Sequence, residues 1–414
     1  MITAVDGYTT EVVVPNSFLY DPDETDEIAS IEHPVKFMNN NLFANSSITS
    51  IQLPNKLERI PYQMFQNCIE LVSLNVPNSV ISIEPEAFFG CSSLTSINIP
   101  EGVTFIGNSA FSGCSSLTSV TIPAGVTSIE GNTFYECTNL TSVTIPTGVI
   151  SIGINAFSYC INLTSVTIPT GVKSIEFSAF SDCSSLTSIT IPEGVTSVGM
   201  NAFSNCTSLT SVNISEGIIN IESGMFGNCT SLTSVTIPTG VKNIRDNAFY
   251  NCSNLTSVTI PAGVKSIGSN AFSDCSSLTS IIIPEGVTSV GGYAFNNCLS
   301  LASITIPEGV TSIGDYTFNY CPKLTSITIP EGVESIGEHA FSACYILSSV
   351  SIPKTVKSIG SCAFEDCSSL ATITIPEGVT SIEGKSFSGC SCLTSITIPE
   401  GVESIGDLAF YECN

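Results

Sequence analysis

Along most of the chain, apolar and hydroxyl-bearing residues alternate in a pattern that returns every 23 residues. In one unit the stretch Leu117-Thr118-Ser119-Val120-Thr121-Ile122 sets β-branched residues between hydroxyls. Alternation with period two predicts a strand with one buried face, placing Val120 and Ile122 inward and Ser119 and Thr121 outward. Pro123 ends that strand because it has no N–H to give to a ladder, and Pro123-Ala124-Gly125 suits a turn. Val126-Thr127-Ser128-Ile129 predicts a second, shorter strand. Asn132-Thr133-Phe134-Tyr135-Glu136-Cys137 then predicts one helical or 3-10 turn, with Phe134 and Cys137 sharing its inner face.

The cysteines set the register. From Cys68 to Cys413, sixteen of the 18 cysteines stand 23 apart in one column. A phenylalanine precedes each by three residues, from Phe65 to Phe410, and a leucine follows by three, from Leu71 to Leu393. A proline column from Pro54 to Pro399 is broken only at Ser215. A single coil cannot cover its own inward groups, so neighbouring coils must stack into one continuous core. The predicted fold class is a repeat solenoid. It is a right-handed superhelix of mainly short parallel β-strands with one-turn helical or 3-10 segments. With strands about 4.8 Å apart, sixteen coils extend roughly 75–80 Å, and the phenylalanines form an offset-stacked spine.

The ends depart from the pattern. Ile2 to Val5 and Tyr8 to Val14 flank Asp6-Gly7, a pair that favours a tight hairpin. The acidic run from Asp21 to Glu27 reads as a loop. Ile31, Pro34, Phe37 and Leu42 fall where a degenerate coil would place them, with Asn45 in place of the cysteine. The expected organisation is an N-terminal capping region over residues 1–41, then an array of about sixteen coils over 42–414. The chain stops in mid-unit at Asn414. Either the last edge is open, which predicts end-to-end homo-association, or the sequence is an incomplete copy of a longer protein.

Composition narrows the chemistry. Acidic residues outnumber basic ones 36 to 11, for a net charge of −25, so the surface repels phosphate backbones and no nucleic-acid partner is expected. No run of 18 apolar residues occurs, and no direct membrane insertion is expected. Neither a secretory signal nor a lipid anchor is recognisable, which leaves a cytoplasmic location open. Parallel thiols about 4.8 Å apart suit disulfides poorly, since paired Cβ atoms approach to about 3.8 Å; the ladder reads as buried, inert sulfur. Cys362 and Cys392 lie off the column and are expected to be the more exposed thiols. Cys390-Ser391-Cys392 is too short for a zinc site.

Glutamates follow the strand proline, or Ser215 in its place, at Glu101, Glu193, Glu216, Glu285, Glu308, Glu331, Glu377 and Glu400. A weak calcium ladder is conceivable there, but solvated turn residues are the preferred reading. The only histidines, His33 and His339, stand far apart, and a nucleophile needs a positioned base. No catalytic residue, metal site or cofactor is expected. Sequons such as Asn139, Asn162 and Asn254 arise from the repeat composition.

The unit Leu324-Thr-Ser-Ile327-Thr-Ile329-Pro330-Glu-Gly-Val333-Glu-Ser-Ile336-Gly337-Glu-His-Ala340-Phe341-Ser-Ala-Cys344 closely resembles the BspA-like leucine-rich-repeat family over roughly residues 42–414. The resemblance implies a leucine-rich-repeat superhelix and a non-enzymatic role. It further implies a cell-surface or secreted, adhesin-like protein engaging a protein or glycan through its concave β face. The alternative is an intracellular protein-interaction scaffold. On that face the expected binding residues are Ser119, Thr121, Ser142, Thr144, Ser165, Thr167, Ser188, Thr190, Ser234, Thr236, Ser257 and Thr259. Equally, these hydroxyls are strand-compatible solubilising residues with no partner. A uniform surface carries little selectivity, so breaks at Asn213, Ile282 and Cys344-Tyr345-Ile346 are the places where it would arise.

Overall fold

The computed structural model describes residues 11–15, 17–20 and 31–413. Two compact units are present, Met1–Ala202 and Phe203–Asn414, and in each the chain winds as a parallel β-solenoid. The turn at Asp6-Gly7 and the acidic run lie outside the described residues. Of the arm expected to end at Val14, Glu11–Val13 forms a strand that pairs in parallel with Ser50–Gln52. Antiparallel pairing instead joins Ser17–Tyr20 to Ile31–Pro34.

Each full coil carries two short strands. In the first unit the longer ones include Ser73–Asn75, Ser96–Asn98, Ser119–Thr121 and Ser142–Thr144, and the shorter ones Ser128–Ile129 and Ser151–Ile152. The second unit repeats the plan, with Ser234–Thr236 beside Ser257–Thr259 and Asn243–Ile244 beside Ser266–Ile267. Pairing is in register one unit apart: Ser119 lies beside Ser142, Val120 beside Val143, Thr121 beside Thr144. Residues 23 apart therefore become neighbours, and every column of the sequence becomes a ladder in space. The proline turns close through an i to i+3 bond, as from Val126 N–H to Pro123 O at 3.1 Å. At Ser215 the same bond persists from Ile218 N–H, at 3.4 Å, so the turn does not depend on proline.

The return from Asn132 to Cys137, expected as one helical or 3-10 turn, closes with 3-10 bonds and also bonds to the next coil. Asn132 and Glu136 sit in the left-handed region, with φ of 53° and 58°. The amides of Asn132, Phe134 and Glu136 donate to Ile154, Ala156 and Ser158 of the next coil at 2.8, 2.9 and 2.9 Å. Those of Tyr135 and Cys137 reach three residues back, to Asn132 and Phe134, as a 3-10 turn would. Half of the turn's amides thus extend a third ladder between coils. A regular helix would have kept those donors within the coil and left this corner without inter-coil bonds.

Both left-handed positions recur from coil to coil, as at Asn155 and Tyr159, or Asn247 and Asn251, with glycine at Gly90, Gly113 and Gly389. Asparagine and aspartate tolerate this conformation better than other residues bearing a Cβ. They also bond along the column, as from Asn251 Nδ2 to Asn228 Oδ1 at 3.0 Å. Asn251→Val is expected to lose about 2–3 kcal/mol from strain and the missing amide, whereas Asn251→Gly stays within about 1 kcal/mol. Denaturant midpoints of the two variants measure this, and an equal loss in both would count against strain as the cause.

Phenylalanines fill the inside of these turns. From Phe43 to Phe180 successive rings stack at 5.2–5.6 Å and within 13° of parallel. From Phe203 to Phe410 the spacing is 5.3–5.7 Å. Beside them the cysteines are free thiols. Within each unit the column thiols donate to the carbonyl of the phenylalanine one coil earlier, as from Cys137 Sγ to Phe111 O at 3.2 Å and Cys298 Sγ to Phe272 O at 3.3 Å. A small apolar side chain with one weak donor suits this column, because it fills space and satisfies a buried carbonyl.

Two expectations are corrected here. Cys392 is exposed but Cys362 is buried, because its short side chain lies beside Ser361, His339 and Glu365. In the first coil Leu42 is exposed, while Phe43 is buried and stacks on Phe65 at 5.6 Å. Ser46, not Asn45, stands in the cysteine position, 3.4 Å from Cys68 Sγ. That coil is one residue shorter between Ser46 and the buried Ile48, and the shift keeps an aromatic ring at the base of the stack.

Candidate functional site

The outward side of the longer strands is the most regular surface. Ser119, Thr121, Ser142, Thr144, Ser165, Thr167, Ser188 and Thr190 are all exposed in the first unit, as are Ser234, Thr236, Ser257 and Thr259 in the second. Their neighbours Val120, Val143, Ile189 and Val235 are buried, as strand alternation requires. In-register pairing lines the exposed hydroxyls into rows, Ser119 to Ser142 to Ser165 and Ser234 to Ser257.

Hydrogen bonding separates this face from the column next to it. Thr118, Thr141 and Thr164 each turn their hydroxyl onto the threonine carbonyl one coil earlier, at 3.4, 3.1 and 3.3 Å. Those hydroxyls are used in tying coils together. Ser119, Thr121, Ser142 and Thr144 make no such side-chain bond among the described residues. Their donors and acceptors face solvent.

In the first coils the same face changes character. Gln52, Asn75 and Asn98 stand in register where later coils carry threonine. With Asn55 and Asn78 they line a depression of about 640 Å³ floored by Ile51, Leu53 and Val76. Sequence reasoning missed this amide patch because it sought breaks only within the serine–threonine array; the switch from Thr to Asn in one column was the available signal. Of the breaks it did name, Asn213 is exposed on Ser211–Ile214, and Ile282 is 78% exposed beside Thr305. Tyr345 and Ile346 are exposed but lie off the strands, with Tyr345 edge-on to Tyr320 at 6.1 Å.

The glutamate column stays dispersed. Glu285, Glu308 and Glu331 are exposed, and Glu216 Oε2 accepts from the Thr239 amide and hydroxyl at 2.9 and 2.7 Å. Among the described residues, His339, Cys362 and Glu365 do converge. Sequence reasoning treated His339 as isolated and Cys362 as a stray thiol. Their separation of one repeat unit, which makes them column neighbours, was the signal.

Comparison with known proteins agrees with this architecture. A family model described as a BspA type leucine rich repeat region matches residues 36–163, 127–256, 196–324, 242–371 and 311–414. The chain is similar to a leucine-rich repeat protein of Bacteroides ovatus, with 29% identity, a TM-score of 0.61, and coverage of 97% of this chain and 84% of that one. It is also similar to a leucine rich cell surface protein of Faecalibacterium prausnitzii at 28% identity, covering 94% of this chain and 87% of that one. The TM-score there is 0.44. No curated protein matches the chain.

Proposed function

The chain belongs to the BspA-type leucine-rich-repeat family, and from that premise we propose that it is a binding protein of adhesin type that engages a protein or glycan through the outward side of its longer strands. The observation that carries this reading is the division of labour between hydroxyl columns. One column spends its hydroxyls on the preceding coil, while the adjacent one leaves them free over successive coils. Many weak polar contacts in a row suit a long partner, because each adds little alone and the array adds up. The amide-lined depression at Gln52, Asn75 and Asn98 supplies a shaped anchor within that row. Among the described residues no helix is long and apolar enough to cross a membrane.

The test is binding of the intact, labelled chain to an array of extracellular-matrix proteins and glycans. Asn75→Lys with Ser142→Lys places bulk and charge on the proposed face. Thr127→Lys adds a cation at an exposed column where Lys173 already stands two coils further on. The face variant is expected to weaken binding at least about tenfold, with the control unchanged. Equal binding by all three proteins would overturn the assignment of the face. Placement at the cell surface is read separately, by protease shaving of intact cells; full protection of the chain would favour an intracellular scaffold.

A further inference from the structure

In the second unit one left-handed column changes its chemistry over five successive coils: Tyr293, Tyr316, His339, Cys362, Lys385. Elsewhere the column carries mostly asparagine, as at Asn247 and Asn270, with Gln63, Glu86, Ser109, Ser178, Gly224 and Leu408 in other coils. Tyr293 stacks on Tyr316 at 4.5 Å, and Tyr316 on the His339 ring at 4.6 Å and 20°, so the imidazole is held face-on against an aromatic neighbour. The backbone is pinned on both sides, with His339 N–H on Ser361 O and Cys362 N–H on Gly384 O, each at 3.0 Å. Glu365, one turn beyond Cys362, divides its oxygens: Oε1 meets Lys385 Nζ at 3.4 Å and Oε2 faces His339 Nδ1 at 3.7 Å.

The distances make an incomplete contact informative. At 3.7 Å the His339 and Glu365 atoms are too far apart for a hydrogen bond. A nitrogen, a sulfur and an oxygen around one tetrahedral zinc ion stand about 3.4–3.6 Å apart, given bond lengths of about 2.1 and 2.3 Å. The three ligand atoms here all lie within 4.8 Å of one another, so closing onto an ion needs side-chain rotation and no backbone movement. His339 and Glu365 keep part of their surface open to solvent, which leaves an entry path and a position for water. We propose that His339, Cys362 and Glu365 form a binding site for a borderline transition-metal dication such as zinc, with water completing a tetrahedral shell. On binding, the Cys362 thiol releases its proton to solvent and ligates as thiolate, Glu365 ligates through Oε2, and Lys385 stays on Oε1 to orient the carboxylate. The site stands apart from the strand face and does not depend on the function proposed for that face.

The test uses the intact chain, reduced and freed of metal, titrated with cobalt(II) as a spectroscopic stand-in for zinc. The expected result is one equivalent bound with a near-ultraviolet thiolate-to-cobalt charge-transfer band, which zinc then displaces. Cys362→Ser is expected to abolish the band and His339→Asn to weaken cobalt binding by about 100-fold or more. Both residue types already occupy this left-handed column, at Ser178 and Asn270, so both variants are expected to keep the fold, as circular dichroism will report. Cys392→Ser removes the exposed thiol and is expected to leave the band intact. Absence of the band in the parent chain, its survival in Cys362→Ser, or its loss in Cys392→Ser alone would each overturn the site.

Discussion

Raising the pH from about 8 to about 10 at constant ionic strength is expected to unfold residues 203–414, through proton release from buried thiols. Burial pushes the thiols of Cys229, Cys252, Cys275, Cys298, Cys321, Cys344, Cys367 and Cys390 above their ordinary value of 9.0, to about 12 for Cys252, Cys344 and Cys390. Most also face a neighbouring thiol of the ladder, which further opposes ionisation. Their folded values exceed the unfolded one, so stability is fully present below about pH 9 and is lost as the pH climbs toward the folded values. One unit above the unfolded value, each thiol costs about 1.4 kcal/mol, and eight together cost on the order of 10 kcal/mol. Net folding stabilities are roughly 5–15 kcal/mol, so this one effect is of decisive size. The denaturant midpoint, followed by circular dichroism under reducing conditions, should fall steeply over that interval. An unchanged midpoint would mean that the ladder is wetter than its burial indicates.

The Phe272→Ala variant is expected to lose about 3–5 kcal/mol. Its ring is fully buried, 5.4 Å from Phe249 and 5.6 Å from Phe295. Truncation removes two stacking partners, worth about 0.5–1.5 kcal/mol each beyond their area, and leaves a cavity the neighbouring coils cannot fill. Those coils are held at fixed spacing by backbone bonds such as Phe272 N–H to Ala294 O at 2.9 Å, which prevents collapse. Phe272→Leu keeps most of the volume and is expected to lose only about 1–2 kcal/mol. Urea titration of the parent and both variants measures the two losses. A loss under about 1 kcal/mol for alanine would show that the stack is not a principal source of stability.

Much of this architecture was legible because a repeat writes each spatial column as a periodic column of letters. The strands, the proline turns, the inward Phe, Cys and Leu, and the outward hydroxyls of the longer strands all follow from alternation and a period of 23. Two features were not legible in that way. The turn before each cysteine was legible as helical or 3-10, since Phe134 and Cys137 are three apart, and 3-10 bonds do close there; its bonding to the next coil was not legible. What decided its form was the demand of the next coil for hydrogen bonds, met by left-handed residues at Asn132 and Glu136. The one-residue slip that buries Phe43 in place of Leu42 came from packing against Phe65.

The sequence by itself determined the period, the identity of the buried columns and the family. Which residues of different columns meet across coils was decided by tertiary structure. His339 and Cys362 are legible as column neighbours one unit apart, but Glu365 joins them only because the turn after Cys362 points its carboxylate back at the preceding coil. Local preference acts within a strand or a turn, whereas the free energy that selects among turns comes from burial and backbone pairing between coils.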